Sequence, residues 1–169
     1  GSEMKQLGNP LRNCLKAAHI IITGIWLGSG VCMLILALLN RYLISPSDGS
    51  AYGINVAIKM IDLCVTVPAA TLTLLTGFLI SWLTGWGFFK HRWVTVKWVL
   101  TFVPIITGGV WIRVLQEEMI QFSKAGGLKA MHNPAYLVDL QAFILVMSGL
   151  VLVLLFMMVI SVFKPWKKA

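Results

Sequence analysis

The sequence predicts an all-α membrane protein: a single domain over residues 1–169 in which four transmembrane helices run up, down, up and down as a bundle. Three observations predict it. Hydrophobic residues make up 58% of the chain and charged residues 12%, with a mean hydropathy of +0.84, which leaves too little polar surface for a water-soluble domain. Four apolar stretches, 15–39, 56–83, 93–115 and 135–163, are each long enough to cross about 30 Å of hydrocarbon as a helix. Lys and Arg gather at alternate connections, because cationic flanks resist translocation.

Residues 1–3 read as an expression scar ahead of a native start at Met4. The first apolar stretch is too long for a signal-peptide core and no small-residue cleavage site ends it, so it is expected to stay attached as the first helix. It carries Gly24 and Gly28 in small-x-x-x-small spacing, with Cys32 a turn further on, a stripe through which a second copy or a membrane partner protein would approach. The connector 40–55 holds the turn signal Ser45-Pro46-Ser47-Asp48-Gly49. On the second stretch Asp62, Thr66, Ala69, Thr73 and Thr76 recur at three- and four-residue intervals, a small and polar stripe expected to face the bundle interior. Pro68 in this stretch and Pro104 in the third are expected to kink their helices. The connectors 84–92 and 116–134 are punctuated by Gly85 and Gly87, and by Gly126-Gly127 and Asn133-Pro134.

Charge gives the expected orientation. With both termini on the cytoplasmic side, nine of the fourteen basic residues lie inside: Lys5, Arg12, Lys16, Lys90, Arg92, Lys97, Lys164, Lys167 and Lys168. Five of the six acids lie outside, so the formal charge of +8 sits on the inner face, suited to an anionic leaflet. The cations flank spans and form no aromatic-interleaved patch, which excludes nucleic acid as the partner and leaves the lipid bilayer. Trp82, Trp86, Trp93 and Trp166 mark an interfacial belt, while Trp26, Trp98 and Trp111 lie deeper and are expected to pack inside. Cys14, Cys32 and Cys64 are too dispersed for a disulfide framework or a metal knuckle and read as small packing residues.

Ionisable side chains at membrane depth cost roughly 2.5–3.5 kcal/mol each at a helix centre, so they are where function is sought. Asp62, Arg113 and Asp139 share one level towards the outside, which predicts an ion-pair cluster in which Arg113 bridges the two carboxylates and Lys59 is a second cation. At the inner end, His19 and His91 lie on faces continued by Thr23, Trp26 and Gly30 and by Thr95, Trp98 and Phe102. If those faces oppose, the two imidazoles are candidate axial ligands of a b-type haem. Lys97 is expected to snorkel to the interface or to meet a carbonyl or a lipid phosphate. Met119, Met131 and His132 offer thioether and imidazole ligands that suit copper. No nucleophile–base arrangement or phosphate-binding loop is visible, so no catalytic residue is assigned.

The stretches His19-Ile-Ile-Ile-Thr-Gly-Ile-Trp-Leu-Gly-Ser-Gly, Tyr52-Gly-Ile-Asn and Gly85-Trp-Gly-Phe-Phe-Lys-His-Arg-Trp-Val-Thr-Val-Lys-Trp98 resemble a bacterial family of integral-membrane proteins, domain of unknown function 2269. That family is distantly similar to copper-resistance D proteins and other cytochrome-b-like bundles. The resemblance implies a four-helix bundle in the bacterial inner membrane and no particular activity. The functional expectation is a non-catalytic accessory or structural component of that membrane. The alternatives are a haem-binding redox protein using His19 and His91, and a small permease or copper-handling protein working along Thr66, Thr73 and Thr76 from Asp62.

Overall fold

The computed structural model describes residues 8–43, 49–85 and 87–165, with the side chain of Leu128 excepted. The expected turn at Ser45 to Asp48, the interfacial Trp86 and Trp166, and the terminal Met4, Lys5, Lys167 and Lys168 lie outside these residues. Four long helices account for nearly all of the described chain: α1 (Asn9–Tyr42), α2 (Ala51–Leu83), α3 (Arg92–Gly126) and α4 (Pro134–Phe163). Each is long and apolar enough to cross a membrane, as in a multi-pass membrane protein.

The helices outrun their apolar stretches because the flanking residues can cap and pack. Asn9 accepts a 2.7 Å bond from Arg12 in the first turn of α1, and Asn133 accepts from the Ala135 amide at 3.0 Å ahead of Pro134 in the first turn of α4. The largest difference from expectation is α3, which continues to Gly126 where a connector was expected from residue 116. Its last turns are amphipathic: Leu115, Gln116, Met119 and Ser123 fall on the buried face, and Glu117 and Glu118 on the exposed one. A 3₁₀ segment, Gly127–His132, then leads into α4.

Short connections make neighbours antiparallel. α1 packs on α2 and on α4, and α3 packs on α4 and on the first part of α2, so α1 and α3 stand at opposite corners of a square, as do α2 and α4. We call the end holding the first residues of α1, the last of α4 and the link between α2 and α3 the terminal end, and the opposite end the far end. Close backbone approach between α2 and α3 is concentrated at the far end, Ala51–Ile61 against Arg113–Gly126. Beyond that level their backbones diverge, and side chains such as Ala70, Leu100 and Ile105 fill the gap around Trp26, Ala69, Leu154 and Met157.

Both helices change pitch where they part. Asp62–Thr66 in α2 and Gly108–Ile112 in α3 are π-helical turns. In the first, the Val67 amide donates to the Asp62 carbonyl five residues back, just ahead of Pro68, whose ring nitrogen donates nothing. The Thr66 hydroxyl reaches the Ile61 carbonyl at 3.4 Å. The second turn follows Pro104 within one turn. The π turn in α2 thus abuts Pro68, whereas that in α3 begins four residues after Pro104, at Gly108-Gly109.

Several small residues face outward. Nothing comes within 4 Å of a Cβ placed on Gly24 or Gly28, whereas one on Gly30 would meet Val151 and Met147 at 3.7 and 3.8 Å. The face that packs inside the bundle therefore runs through Gly30, two residues and about 200° round the helix from Gly28. Cys14, Cys32 and Cys64 are all exposed and do not pack inside as expected. Trp111, expected in the interior, is also exposed, while Trp26 is buried.

Candidate functional site

The stripe on α2 turns inward. Asp62, Ala69, Thr73 and Thr76 are buried and Thr66 is half-buried. Asp62 opens the π turn and is 6% exposed, at the level where α2 and α3 separate. Beside it the Thr66 hydroxyl lies 2.8 Å from Ser29 Oγ, and Ser29 donates to the Trp26 carbonyl at 2.9 Å. A cavity of about 40 Å³ lies here, lined among others by Trp26, Gly30, Asp62, Thr66, Pro104 and Gly108. Both π turns contribute to its wall.

Asp62 has no ion-pair partner within 4 Å among the described residues. From α3 it is faced by Gln116 and Arg113. Gln116 is 2% exposed, yet its Nε2 completes no hydrogen bond. The Gln116 side chain lies close enough to interact with the Asp62 carboxyl, although its Nε2 has no partner within 3.5 Å. The Gln116 role was not visible in the sequence, where it fell in the third connector. The signal that would have found it is the continuation of the core stripe Ile112, Leu115, Gln116, Met119 at helical spacing.

The expected four-residue charge cluster does not form. Lys59 donates to Glu117 Oε2 at 2.6 Å, on the outer surface of the α2/α3 contact. Arg113 is exposed and comes within 4 Å of neither Asp62 nor Asp139. Asp139 is faced by Glu118, another acid. The physical reason is rotational: equal depth was legible by counting residues, but the π turn ahead of Arg113 and the extension of α3 change which side of the helix each residue occupies.

Further along the stripe, Thr73 Oγ1 is buried without a partner. The Thr76 hydroxyl has one proton, with the Leu72 carbonyl at 2.8 Å and His19 Nδ1 at 2.6 Å. His19 packs its ring edge against Gly77, where an added Cβ would stand 3.3 Å from Cε1. So His19 on α1 is engaged by α2. His91 precedes α3, with its ring stacked 6.4 Å from that of Trp93. The structure thus gives the two imidazoles separate partners.

Of the outer candidate copper ligands, Met131 packs against the same far-end core as Met119. Met119 is wholly buried against the far-end core with Tyr136, Leu140 and Phe143, and His132 is exposed in the 3₁₀ segment. Among the described residues no three His, Cys, Asp or Glu side chains are grouped to hold a metal ion.

A second polar cluster lay outside the sequence reading. Asn40 Nδ2 donates to Asn55 Oδ1 at 3.1 Å and to the Tyr136 hydroxyl at 2.8 Å. Asn55 Nδ2 reaches the Tyr136 hydroxyl, Ser123 Oγ and the Met119 carbonyl at 2.9, 3.1 and 3.2 Å. All four helices meet in this network, and both asparagines were placed in the first connector by composition.

Lys97 is half-buried, with its Nζ 6.0 Å from the centroid of the Trp93 ring, one turn nearer the terminal end, the direction in which it was expected to reach. An aromatic chain, Trp82–Phe78–Phe88–Trp98–Phe102, with ring centroids 5.2 to 6.1 Å apart, ties α2 to α3 through the link between them. Comparison with known family models, curated proteins and solved structures finds no match to this chain.

Proposed function

We propose that this chain is a small permease of the bacterial cytoplasmic membrane that binds and passes protons, with Asp62 as the proton-binding group. The observation that carries the reading is the Asp62 carboxyl: buried, without an ion-pair partner among the described residues, and lining a cavity between two π turns. An ionisable group at membrane depth is costly unless it is paired, wetted or protonated, and such groups mark proton and ion routes. A proton suits this site better than a metal ion. Hard cations want a shell of several oxygen ligands, and the cavity lining offers Asp62 and Thr66, with Ser29 behind them.

The route runs along the α2 stripe. Asp62, Thr66 with Ser29, Thr73, and Thr76 with His19 alternate hydroxyl and titratable groups down one face. The buried layer of Trp26, Ala69, Leu154 and Met157 separates the upper and lower groups and acts as the gate. The termini face the cytoplasm, because that orientation leaves most of the cations on the side where they need not cross.

Two measurements test it. Dicyclohexylcarbodiimide modifies protonated carboxyls in apolar surroundings, so wild-type protein in detergent should be labelled at Asp62, less as pH rises, and Asp62→Asn should not. In proteoliposomes with an imposed potassium diffusion potential, wild type should acidify an internal pH dye and Asp62→Asn should reduce that rate at least tenfold. Wild-type vesicles no leakier to protons than empty ones would sink the proposal.

A further inference from the structure

At the far end, the last turns of α3 and the first turns of α4 border an open groove of about 750 Å³. Phe122 and Ala125 from α3 and Ala135 and Val138 from α4 give it an apolar wall, and Val138 is 66% exposed. One carboxylate stands on each bank. Glu118 lies one helical turn before Phe122, Asp139 lies one turn after Ala135, and the two face each other. Neither has a cation within 4 Å among the described residues, while the neighbouring Glu117 takes Lys59. Two like charges across a gap repel, so what this groove lacks is a positive group between its banks.

Size, wall and charge together choose the occupant. The volume falls within the roughly 300–1,000 Å³ of small-molecule sites and is far more than one metal ion fills. Hard cations want a shell of oxygen ligands, whereas this lining is mostly apolar. A wholly hydrophilic cation would leave that wall uncovered. The level is also suitable: the 35 residues of α3 extend about 52 Å against roughly 30 Å of hydrocarbon, so its last turns reach the interface, where amphipathic molecules gather. We propose that the groove binds an amphipathic organic cation, its apolar body against Phe122 and Val138 and its positive centre between Glu118 and Asp139. This site is separate from Asp62 and stands whether or not protons pass there.

The test is equilibrium dialysis of the full chain in uncharged detergent with tetraphenylphosphonium, using the shape-matched anion tetraphenylborate to control for partition into the micelle. Wild type should bind the phosphonium saturably and take up no more tetraphenylborate than empty micelles do. Partly exposed ion pairs are worth up to about fivefold in affinity, so Glu118→Gln and Asp139→Asn should each weaken binding about threefold and the double variant about tenfold. Tetramethylammonium, the same charge without the apolar body, should compete about tenfold less well than the phosphonium. Glu118 is exposed, so Glu118→Gln keeps the test valid if Asp139→Asn does not fold. Equal binding of the two tetraphenyl ions, an unchanged affinity in the double variant, displacement by equimolar magnesium, or affinity that falls as the protein is concentrated, as when a second copy fills the groove, would each overturn the proposal.

Discussion

Asn55 shows what one residue can hold together. Its amide nitrogen reaches toward three acceptors, on α3 and α4, while its oxygen accepts from Asn40 on α1. Interhelical hydrogen bonds in membrane proteins average about 0.6 kcal/mol and reach about 1.7, but a buried group left unpaired costs about 1–3 kcal/mol. Asn55→Ala removes one partner and orphans several, so it should destabilise the folded protein by about 2 kcal/mol in a detergent unfolding titration. Tyr136→Phe, which takes only the hydroxyl, should cost about 1 kcal/mol. A wild-type midpoint for Asn55→Ala would mean the network contributes nothing. Asp62 was legible as a candidate because a carboxylate in an apolar run stands out by composition. Asn55 was not, because an asparagine near a Pro-Ser-Asp-Gly turn reads as loop until a neighbouring helix supplies its partners.

At the scale of an element, the ends of the helices depended on packing more than on hydropathy. The end of α3 lies at Gly126, and Gly127 follows with φ 51° and ψ −127°, a conformation that side chains strongly disfavour. Gly127→Ala should therefore lower stability by about 1–3 kcal/mol, read as a fall in the thermal midpoint. Gly109, within α3 and with nothing inside 4 Å of an added Cβ, is the control. Gly109→Ala should be neutral or slightly stabilising, since alanine favours helix. Equal effects at the two positions would show that backbone conformation is not what Gly127 provides. Pro68 and Pro104 announced a disturbance in α2 and α3, yet whether a proline bends, widens or merely interrupts a helix is decided by what surrounds it. Here two π turns lie at the place where α2 and α3 part, one just ahead of Pro68 and one at Gly108-Gly109 after Pro104.

For the whole molecule, the proposed orientation has a direct test. Lys129→Cys in the 3₁₀ segment should react with a membrane-impermeant maleimide in intact cells, and Lys90→Cys in the link between α2 and α3 should react only after lysis. The experiment is done with Cys14, Cys32 and Cys64 replaced by Ser, since all three are exposed. The reverse pattern would invert the proposed orientation, and with it the side from which the proposed proton route opens.

Four long apolar helices and their order were readable from residues alone, because the capacity to cross hydrocarbon depends on composition summed over about twenty positions and needs no neighbour. The inward turn of Asp62, Thr73 and Thr76 was likewise written in their spacing. Which charges meet was settled only by the assembled bundle. Lys59 turned to Glu117, Arg113 faced outward, and His19 found Thr76, because a helix rotates by about 100° per residue and a single widened turn redirects what precedes or follows it. Depth is a property of one chain segment, whereas contact is a property of two, and only packing determines the angle between them.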